Sequence, residues 1–299
     1  MQPPKIHKEC SATMVDLAIA YRVYPSVSAT PALHADDKLK LVELCLRSFR
    51  RALGSLRIKI WVLLDGCPPV YEELFRAHFR EEEIEVIPLT SAGNAATFAM
   101  QVNLLASQSV ADLVYFAEDD YFYLPNAIVD LVEFMRSGSN IDFATPYDHP
   151  DCYDSASRNE RHFVRAFGGR HWRTASSTCL TFLATRAALL ENRSHFKAFR
   201  RGSDDCAIWQ AITQKSSLFD FRTHAASSER FRIWIKTWLR GYRRIVFGRS
   251  YKLWAPLPSV ATHMALPCLA PLIDWYTEFD RFQIESSTAA MADPSESDS

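Results

Sequence analysis

The first half of the sequence alternates short apolar runs with segments of helical spacing, and this alternation most constrains the fold. In the helical segments, such as 38–53, apolar residues fall on one side and basic residues on the other. Strands that alternate with helices predict βαβ units and a mostly parallel central sheet flanked by helices, which is an α/β fold. The apolar runs that predict strands are 14–21, 58–64, 84–89, 113–117, 141–145 and 178–184.

Composition and charge narrow the class of protein. The chain is 48% hydrophobic and 23% charged, which is ordinary for a folded soluble protein. Its formal net charge of −1 lacks the basic surplus typical of nucleic-acid binding, so no nucleic-acid partner is expected. The 7 cysteines form no C-x-x-C pair, and the N-terminus has no apolar signal core. No run reaches the roughly 18 apolar residues that span a bilayer, so we expect a cytoplasmic protein.

Three consecutive acids, Glu118, Asp119 and Asp120, follow the fourth predicted strand directly. Asp65 follows the second strand in the same way, and ligands bind at the carboxyl ends of the strands in such a sheet. Adjacent carboxylates repel one another unless a cation neutralises them. A hard divalent cation takes oxygen ligands and leaves positions open for substrate phosphates. The alternative is a solvated acidic loop, but the position at the end of a central strand favours a cation site.

The stretch 115–121 around these acids resembles the D-x-D region of glycosyltransferases with the GT-A fold, especially the inverting family two. The resemblance implies a GT-A-like, Rossmann-like arrangement of the sheet and helices. Position 118 is Glu where family members often have Asp, and position 204 is Asp where Glu is usual. Further matches to the family are Asp65, Gly93-Asn94 at a helix start, Ser203-Asp204-Asp205 at another helix start, and the late His263.

The resemblance implies a glycosyltransferase that moves a sugar from a nucleoside-diphosphate sugar, UDP- or GDP-linked, to a hydroxyl acceptor by single displacement. Asp205 is then the catalytic base with Asp204 beside it, and Asp120 and His263 hold Mn²⁺ or Mg²⁺. The alternative for the acid pair is a helix N-cap, and a lone histidine is more often structural. The donor-binding residues of this interpretation are Tyr21, Arg22, Asp65, Asn94, Glu118 and Asp119.

The section 146–177 is irregular and rich in aromatic, histidine and arginine residues around Gly168-Gly169. We interpret it as a lid or acceptor loop. The acceptor is expected to be a cell-surface glycan or a lipid-linked intermediate. The candidate acceptor-binding residues are His149, Arg165, His171 and Trp172.

The segment 230–246 predicts an amphipathic helix with an aromatic side and a basic side. Such a helix can lie on an anionic membrane surface, which predicts a peripheral position at the inner face of the membrane. The alternatives are that the aromatic side packs onto the domain, or that some of the arginines bind donor phosphates.

The resemblance also sets the domain boundaries. Residues 1–13 form an N-terminal tail. Residues 14–228 form the GT-A catalytic domain, with a nucleotide-sugar half at about 14–146 and an acceptor half at about 147–228. Residues 229–284 form a C-terminal amphipathic helical region that completes the site, and the acidic, Ser- and Ala-rich segment 285–299 forms a disordered tail.

Two other functions compete with the glycosyltransferase. A sugar-phosphate nucleotidyltransferase would keep the nucleotide site, but the residues after the first strand, 21–25, lack the Gly-rich loop usual in such enzymes. A non-catalytic, membrane-associated glycan-binding protein would use the segment 230–246 and would not need the acids. The sequence also lacks the phosphate-loop, dinucleotide, zinc-helix and nucleophile-elbow motifs, which disfavours the enzyme classes that carry them.

Overall fold

The computed structural model describes residues 14–27, 30–153, 161–201, 204–214, 216–219 and 228–292. The predicted N-terminal tail, Ser203 of the predicted helix cap and residues 293–299 of the predicted disordered tail lie outside this part of the chain.

The strands that the structure describes are β1 (Leu17–Val23), β2 (Ile58–Asp65), β3 (Ile84–Leu89), β4 (Leu113–Glu118), β5 (Tyr121–Tyr123), β6 (Phe143–Ala144), β7 (Val164–Phe167), β8 (Arg170–Ala175), β9 (Phe182–Thr185), β10 (Leu253–Leu257) and β11 (Ala261–His263). The strands β1 to β4, β6 and β9 coincide with the predicted apolar runs, and the other strands were not predicted.

The helices connect these strands and cover the sheet. They are α1 (Lys38–Ala52), α2 (Pro69–His78), α3 (Asn94–Ser107), α4 (Ala127–Arg136), α5 (Arg186–Phe196), α6 (Asp205–Thr213), α7 (Ser228–Phe247) and α8 (Trp275–Ala292). Short 3₁₀ turns lie at Pro150–Tyr153, Lys197–Arg201, Ser216–Phe219 and Leu266–Cys268.

Within the described residues, nine strands form one sheet in the order β3-β2-β1-β4-β9-β6-β10-β8-β7. The strands β3, β2, β1 and β4 are all parallel. Beyond β4 the sheet is mixed, because β9 runs antiparallel to both of its neighbours and β8 runs antiparallel to β10 and β7. A separate antiparallel pair joins β5 to β11. The predicted α/β class with a central sheet between helices is therefore confirmed.

Alternate residues of β1 enter two cores on opposite faces of the sheet. Leu17, Ile19 and Tyr21 belong to a core that also takes side chains from α1, α2, α4 and α8. Ala18 and Ala20 belong to the core formed with α3, α5 and α6. A strand that is buried on both faces explains the unbroken apolar run of the sequence.

The C-terminal region differs from the prediction in two places. The segment 229–284 is not all helical, because its apolar run Leu253–Leu257 forms β10 and inserts between β6 and β8. The predicted disordered tail is also wrong in its first part, because α8 continues to Ala292. Alanine and other good helix formers near its end favour helix, and Glu285 forms an ion pair with Arg51 at 2.5 Å.

The predicted amphipathic helix is α7, and only part of its aromatic side is packed. Trp234 and Trp238 contact a small core that α6 shares with α7, and the indole N–H of Trp234 donates to the carbonyl oxygen of Leu218 at 2.9 Å. A Cβ atom at Gly241 would lie 2.8 Å from that of Ala211, so the glycine permits the close approach of the two helices. None of the helices that the structure describes combines the length and the apolar character needed to cross a lipid bilayer.

Candidate active site

The site lies where β1 and β4, which are parallel neighbours, reach their carboxyl ends. Arg22 and Glu118 are directly opposite each other in the register of the two strands. The guanidinium of Arg22 donates hydrogen bonds to Glu118 Oε1 and to Asn94 Oδ1 at the start of α3. Three predicted donor-binding residues are therefore brought together by one strand pair and one helix start.

The three consecutive acids Glu118, Asp119 and Asp120 at the end of β4 are called the acidic turn below. Each of them has its own positively charged partner. Glu118 pairs with Arg22, and its second oxygen accepts from the hydroxyl of Thr181 at 2.9 Å. Asp119 is 3.0 Å from Lys38 Nζ. Asp120 Oδ2 is 3.1 Å from His263 Nε2. The repulsion between adjacent carboxylates is therefore offset within the protein, by cations from β1, α1 and β11.

The pair of Asp120 and His263 is predominantly ionised at neutral pH. Burial lowers the pKa of His263, but the adjacent Asp120 carboxylate outweighs burial and raises that pKa to about 10. Burial likewise raises the pKa of Asp120, and the charge and hydrogen bond of His263 reverse the effect, so that this pKa is lowered. Asp120 Oδ1 is buried without a hydrogen-bond partner among the described residues.

These two side chains fit part of a divalent cation site. The unpartnered Oδ1 of Asp120 is an available oxygen ligand, and the neutral imidazole of His263 is a nitrogen ligand once its proton has left. Glu118 is close enough for its charge to raise the pKa of His263. In the part of the chain that the structure describes, no three His, Cys, Asp or Glu side chains form a complete set of metal ligands.

A small cavity opens beside this pair. Lys38, Asp120 and His263 form its polar side. Its apolar side is formed by Val27, Pro31, Leu41, Met264 and Ala265. Its volume is about 10 Å³, which is room for roughly one water molecule and far less than a small-molecule ligand needs.

Lys38 is a site residue that the sequence did not reveal. It is the first residue of α1, its side chain is only 9% exposed, and its ammonium group contacts the carboxylate of Asp119. Burial lowers the pKa of Lys38, but the charges of Asp119 and Asp120 outweigh burial and raise it. No local motif marks this lysine, because its partners lie in a different βα unit.

The two acids at the start of α6 are separated by the fold. Asp204 forms an ion pair with Lys236 of α7 at 2.9 Å and is 39% exposed, so its predicted catalytic role is corrected to a link between the two helices. Asp205 is more deeply placed. Burial raises its pKa, the Cys206 backbone N–H lowers it, and the nearby Glu118 charge raises it further. The charge of Glu118 thus acts on the carboxylate of Asp205, whereas Asp204 is paired with Lys236.

Asp65 holds the loop that leads into α3. Its carboxylate accepts backbone N–H bonds from Ala92 at 2.6 Å and Gly93 at 2.7 Å, and its residue is 3% exposed. These bonds hold the loop that enters α3, where Gly93 has a left-handed φ of 83°. Asp65 therefore helps to position Asn94, and its predicted contact with the donor stays a prediction, because each carboxylate oxygen can accept a second hydrogen bond.

Tyr21 was predicted to bind the donor, and the structure contradicts this. Its ring is fully buried and packs edge-on against Phe49 at 5.4 Å and Phe75 at 5.1 Å. The alternation of side chains along β1 turns Tyr21 into the core, while the next residue, Arg22, reaches the site.

The four predicted acceptor-binding residues are placed differently from one another. His149 lies close to the site, since its ring is 5.2 Å from that of Tyr147 and the charge of His263 contributes to lowering its pKa, after burial. Trp172 is fully buried and stacks on Phe134 at 3.8 Å, so its predicted role is wrong. Arg165 is exposed on β7 and lies over the same Phe134 at 5.9 Å, and its role stays a prediction. His171 is exposed on β8, and its role stays a prediction.

The chain was compared with protein-family models, with curated sequences and with solved structures. No protein-family model matches the chain, and no curated protein sequence matches it. Among solved structures, the chain is similar to the galactosyltransferase LgtC in complex with donor and acceptor sugar analogues. The identity is 14%, the match covers 91% of this chain and 95% of that one, and the TM-score is 0.45.

Two further solved structures illustrate the range of similar proteins. TarS 1–349 of S. aureus, in complex with UDP-GlcNAc, is 11% identical over 60% of this chain and 47% of that one, with a TM-score of 0.40. A cytidylyltransferase from Leptospira borgpetersenii serovar Hardjo-bovis is 14% identical over 59% of this chain and 63% of that one, with a TM-score of 0.33. The three matches have identities of 14% or less and TM-scores below 0.5, so they identify neither a family nor a function for this chain.

Proposed function

We propose that this chain is a glycosyltransferase that moves a sugar from a nucleoside-diphosphate sugar to a hydroxyl group of an acceptor. The observation that carries the proposal is the convergence of Arg22, the acidic turn with His263, and Asp205 at the carboxyl ends of β1 and β4. Binding at this edge is the rule for open α/β sheets. The positive groups suit the binding of a diphosphate leaving group. The carboxylate of Asp205 suits a proton acceptor on the opposite side of the sugar.

The donor diphosphate is proposed to bind between Arg22 and the pair of Asp120 and His263. Asp120 and His263 are the residues that would hold Mn²⁺ or Mg²⁺, which would supply positive charge to a diphosphate leaving group. Arg22 is already oriented by Glu118 and Asn94, so little side-chain freedom is lost when it contacts a phosphate oxygen.

The transfer is proposed to be a single displacement with inversion. Asp205 accepts the proton of the acceptor hydroxyl while that oxygen bonds to the anomeric carbon. The bond from the anomeric carbon to the diphosphate oxygen breaks at the same centre, and the electron pair leaves with the nucleoside diphosphate. The raised pKa of Asp205, which burial causes first, makes it a stronger base than an ordinary aspartate. The donors are proposed to be UDP- or GDP-sugars, and the acceptor a cell-surface glycan or a lipid-linked intermediate at the cytoplasmic side of the membrane.

A panel of UDP- and GDP-sugars with Mn²⁺ or Mg²⁺ tests this function. We expect one of these donors to be hydrolysed slowly without an acceptor, and its nucleoside diphosphate to raise the melting temperature in the presence of the metal. At 100 times the Kd, bound ligand adds about 2.7 kcal/mol to the free energy of unfolding, which is easily measured. The absence of both hydrolysis and a thermal shift with every donor would contradict the proposal. Release of pyrophosphate from a nucleoside triphosphate and a sugar phosphate would instead identify a nucleotidyltransferase.

The exposed part of α7 is proposed to bring the enzyme to an anionic membrane surface. Leu239 is 78% exposed and Phe247 is 76% exposed, and Tyr242 and Val246 are exposed between them. Arg240 and Arg243 are exposed on the same stretch. Apolar residues among arginines fit the interface of a membrane that contains anionic lipids.

Sedimentation with phosphatidylcholine vesicles, with and without phosphatidylserine, checks this contact. We expect binding only when phosphatidylserine is present. Each arginine near such a surface contributes about 1 kcal/mol, so replacing Arg240 and Arg243 by Gln should weaken binding about 30-fold. Arg281→Gln, an exposed arginine of α8, is the matched control and should leave binding unchanged. Equal binding of the double variant and the wild type would show that α7 does not contact the lipid.

A further inference from the structure

The lysine at the start of α1 carries a charge that its own helix does not stabilise. Lys38 is the first residue of α1, after the N-cap Asp37, whose carboxylate accepts from the backbone N–H of Lys40. The N-terminus of a helix carries a partial positive charge, so an ammonium group is unfavourable there. The side chain of Lys38 is nevertheless only 9% exposed. Its charge is therefore stabilised by another part of the fold.

The partner of Lys38 is the middle residue of the acidic turn. The ammonium group lies 3.0 Å from Asp119 Oδ1, and the side chain of Asp119 is only 10% exposed. The second oxygen of Asp119 accepts from the backbone N–H of Tyr24, directly after β1, at 2.9 Å. Charges that are withdrawn from water interact more strongly than charges at the surface. The carboxylate of Asp119 is thus held between α1 and the end of β1.

The next carboxylate of the turn is less engaged. Asp119 accepts on both of its oxygens, whereas Asp120 Oδ1 has no hydrogen-bond partner among the described residues. Lys38, Asp120 and His263 border one cavity of about 10 Å³. The ammonium group of Lys38 is therefore fixed beside the space in which Asp120 and His263 would hold a cation.

A positive charge in this position has two effects on a divalent cation. It neutralises one of the carboxylates that would attract the cation, and it repels the cation directly. At separations of several ångströms in partly buried surroundings, one unit charge changes the affinity for a dication by about tenfold or more. Arg22 neutralises Glu118 in the same way, so two of the three acids are already balanced by protein cations.

We propose that Lys38 is an internal counter-ion of the acidic turn, which lowers the affinity of the site for a divalent cation. This inference rests on the proposed function, in which Asp120 and His263 hold the cation. Removing the charge of Lys38 therefore tightens the binding of the cation. Removing a side chain that only stabilises the fold would leave this binding unchanged or weaken it, so the direction of the change separates the two roles.

Titration with Mn²⁺ alone, followed through the electron paramagnetic resonance signal of free Mn²⁺, tests this inference. We expect the Kd of Lys38→Met to be about tenfold lower than that of the wild type. Lys38→Met combined with Asp119→Asn removes both charges of the ion pair and should stay within about threefold of the wild type. Lys40→Met, which removes a lysine of 67% exposure from the same turn of α1, is the matched control and should leave the Kd unchanged.

The outcomes separate this inference from the proposed function, because the titration needs no donor. A donor panel without hydrolysis and without a thermal shift overturns the proposed function. A Kd of Lys38→Met equal to or above that of the wild type, or no binding of Mn²⁺ by either protein, overturns the role of Lys38. Should Lys38→Met fail to fold, the substitution is made in the Asp119→Asn background, where it leaves no unpaired carboxylate at position 119. Compared with Asp119→Asn alone, it should again lower the Kd about tenfold, and an unchanged Kd there would overturn the inference.

Discussion

Asp120→Asn is expected to lower donor turnover at saturating Mn²⁺ by about 10³-fold or more. The substitution preserves the shape of the side chain and removes the charge that pairs with His263 at 3.1 Å. Asp120 Oδ1 is buried without a hydrogen-bond partner among the described residues, so in the proposal it is the oxygen available to the metal. The thermal shift caused by nucleoside diphosphate and Mn²⁺ should disappear together with the activity, because both depend on the same ligand.

The control is a carboxylate whose removal should change neither turnover nor the thermal shift. Asp280→Asn removes an exposed carboxylate from α8 and should retain both turnover and the thermal shift. Nucleoside diphosphate release and melting temperature, measured on the two variants and the wild type, check the prediction. Turnover of Asp120→Asn within about tenfold of the wild type would mean that Asp120 belongs to a structural ion pair and takes no part in donor binding.

Asp205→Asn is expected to reduce the rate of transfer to the acceptor by about 10²- to 10⁴-fold, the usual contribution of a general base. The nucleoside diphosphate should still bind with the same Kd, because Asp205 lies on α6 and not among the groups that hold the donor in the proposal. Asp204→Asn is the matched control, since it alters the adjacent carboxylate and its ion pair with Lys236 at 2.9 Å. If both variants lost the same factor in rate, the total negative charge at the start of α6 would explain the loss. Asp205 would then not be the general base.

The pH dependence gives a second measurement on Asp205. Burial, followed by the charge of Glu118, raises the pKa of Asp205 in the folded protein. A general base works only when deprotonated, so kcat/KM should fall as the pH drops through this raised pKa. The acid limb of the profile should therefore lie above the value of about 3.9 for an ordinary aspartate. The residual activity of Asp205→Asn should not show this limb.

The parallel half of the sheet could be predicted from the sequence because its strands leave local apolar patterns. The strands β1 and β4 are almost wholly buried and read as continuous apolar runs, and the runs at 58–64 and 84–89 match β2 and the partly exposed edge strand β3 closely. In the mixed half, the runs at 141–145 and 178–184 predicted β6 and β9, but the order of the strands could not be predicted. The strand β10 comes from a run that follows the long helix α7, and nothing local indicates that it inserts between β6 and β8. Insertion into a sheet depends on which hydrogen-bonding edge is open, and that is a property of the assembled fold.

The sequence could not show whether a side chain near the end of a strand points into the core or into the site. Tyr21 and Arg22 are neighbours at the end of β1, but one enters the core and the other enters the site. Trp172 looked like a sugar-binding aromatic and is instead fully buried against Phe134. Strand alternation predicts that neighbours point to opposite faces, but only the packed helices decide which face is the core at a strand end.

The sequence by itself determined the class of fold and the position of the acidic turn, because strand burial and strand ends leave local patterns. Only the tertiary structure decided what each acid faces. Arg22, Lys38 and His263 come from β1, α1 and β11, and each one neutralises a different residue of the turn. The same holds at α6, where Asp204 turns to Lys236 and Asp205 turns to the site. Electrostatic interactions depend on distance in space, and a chain folded through several βα units brings together charges that no local pattern relates.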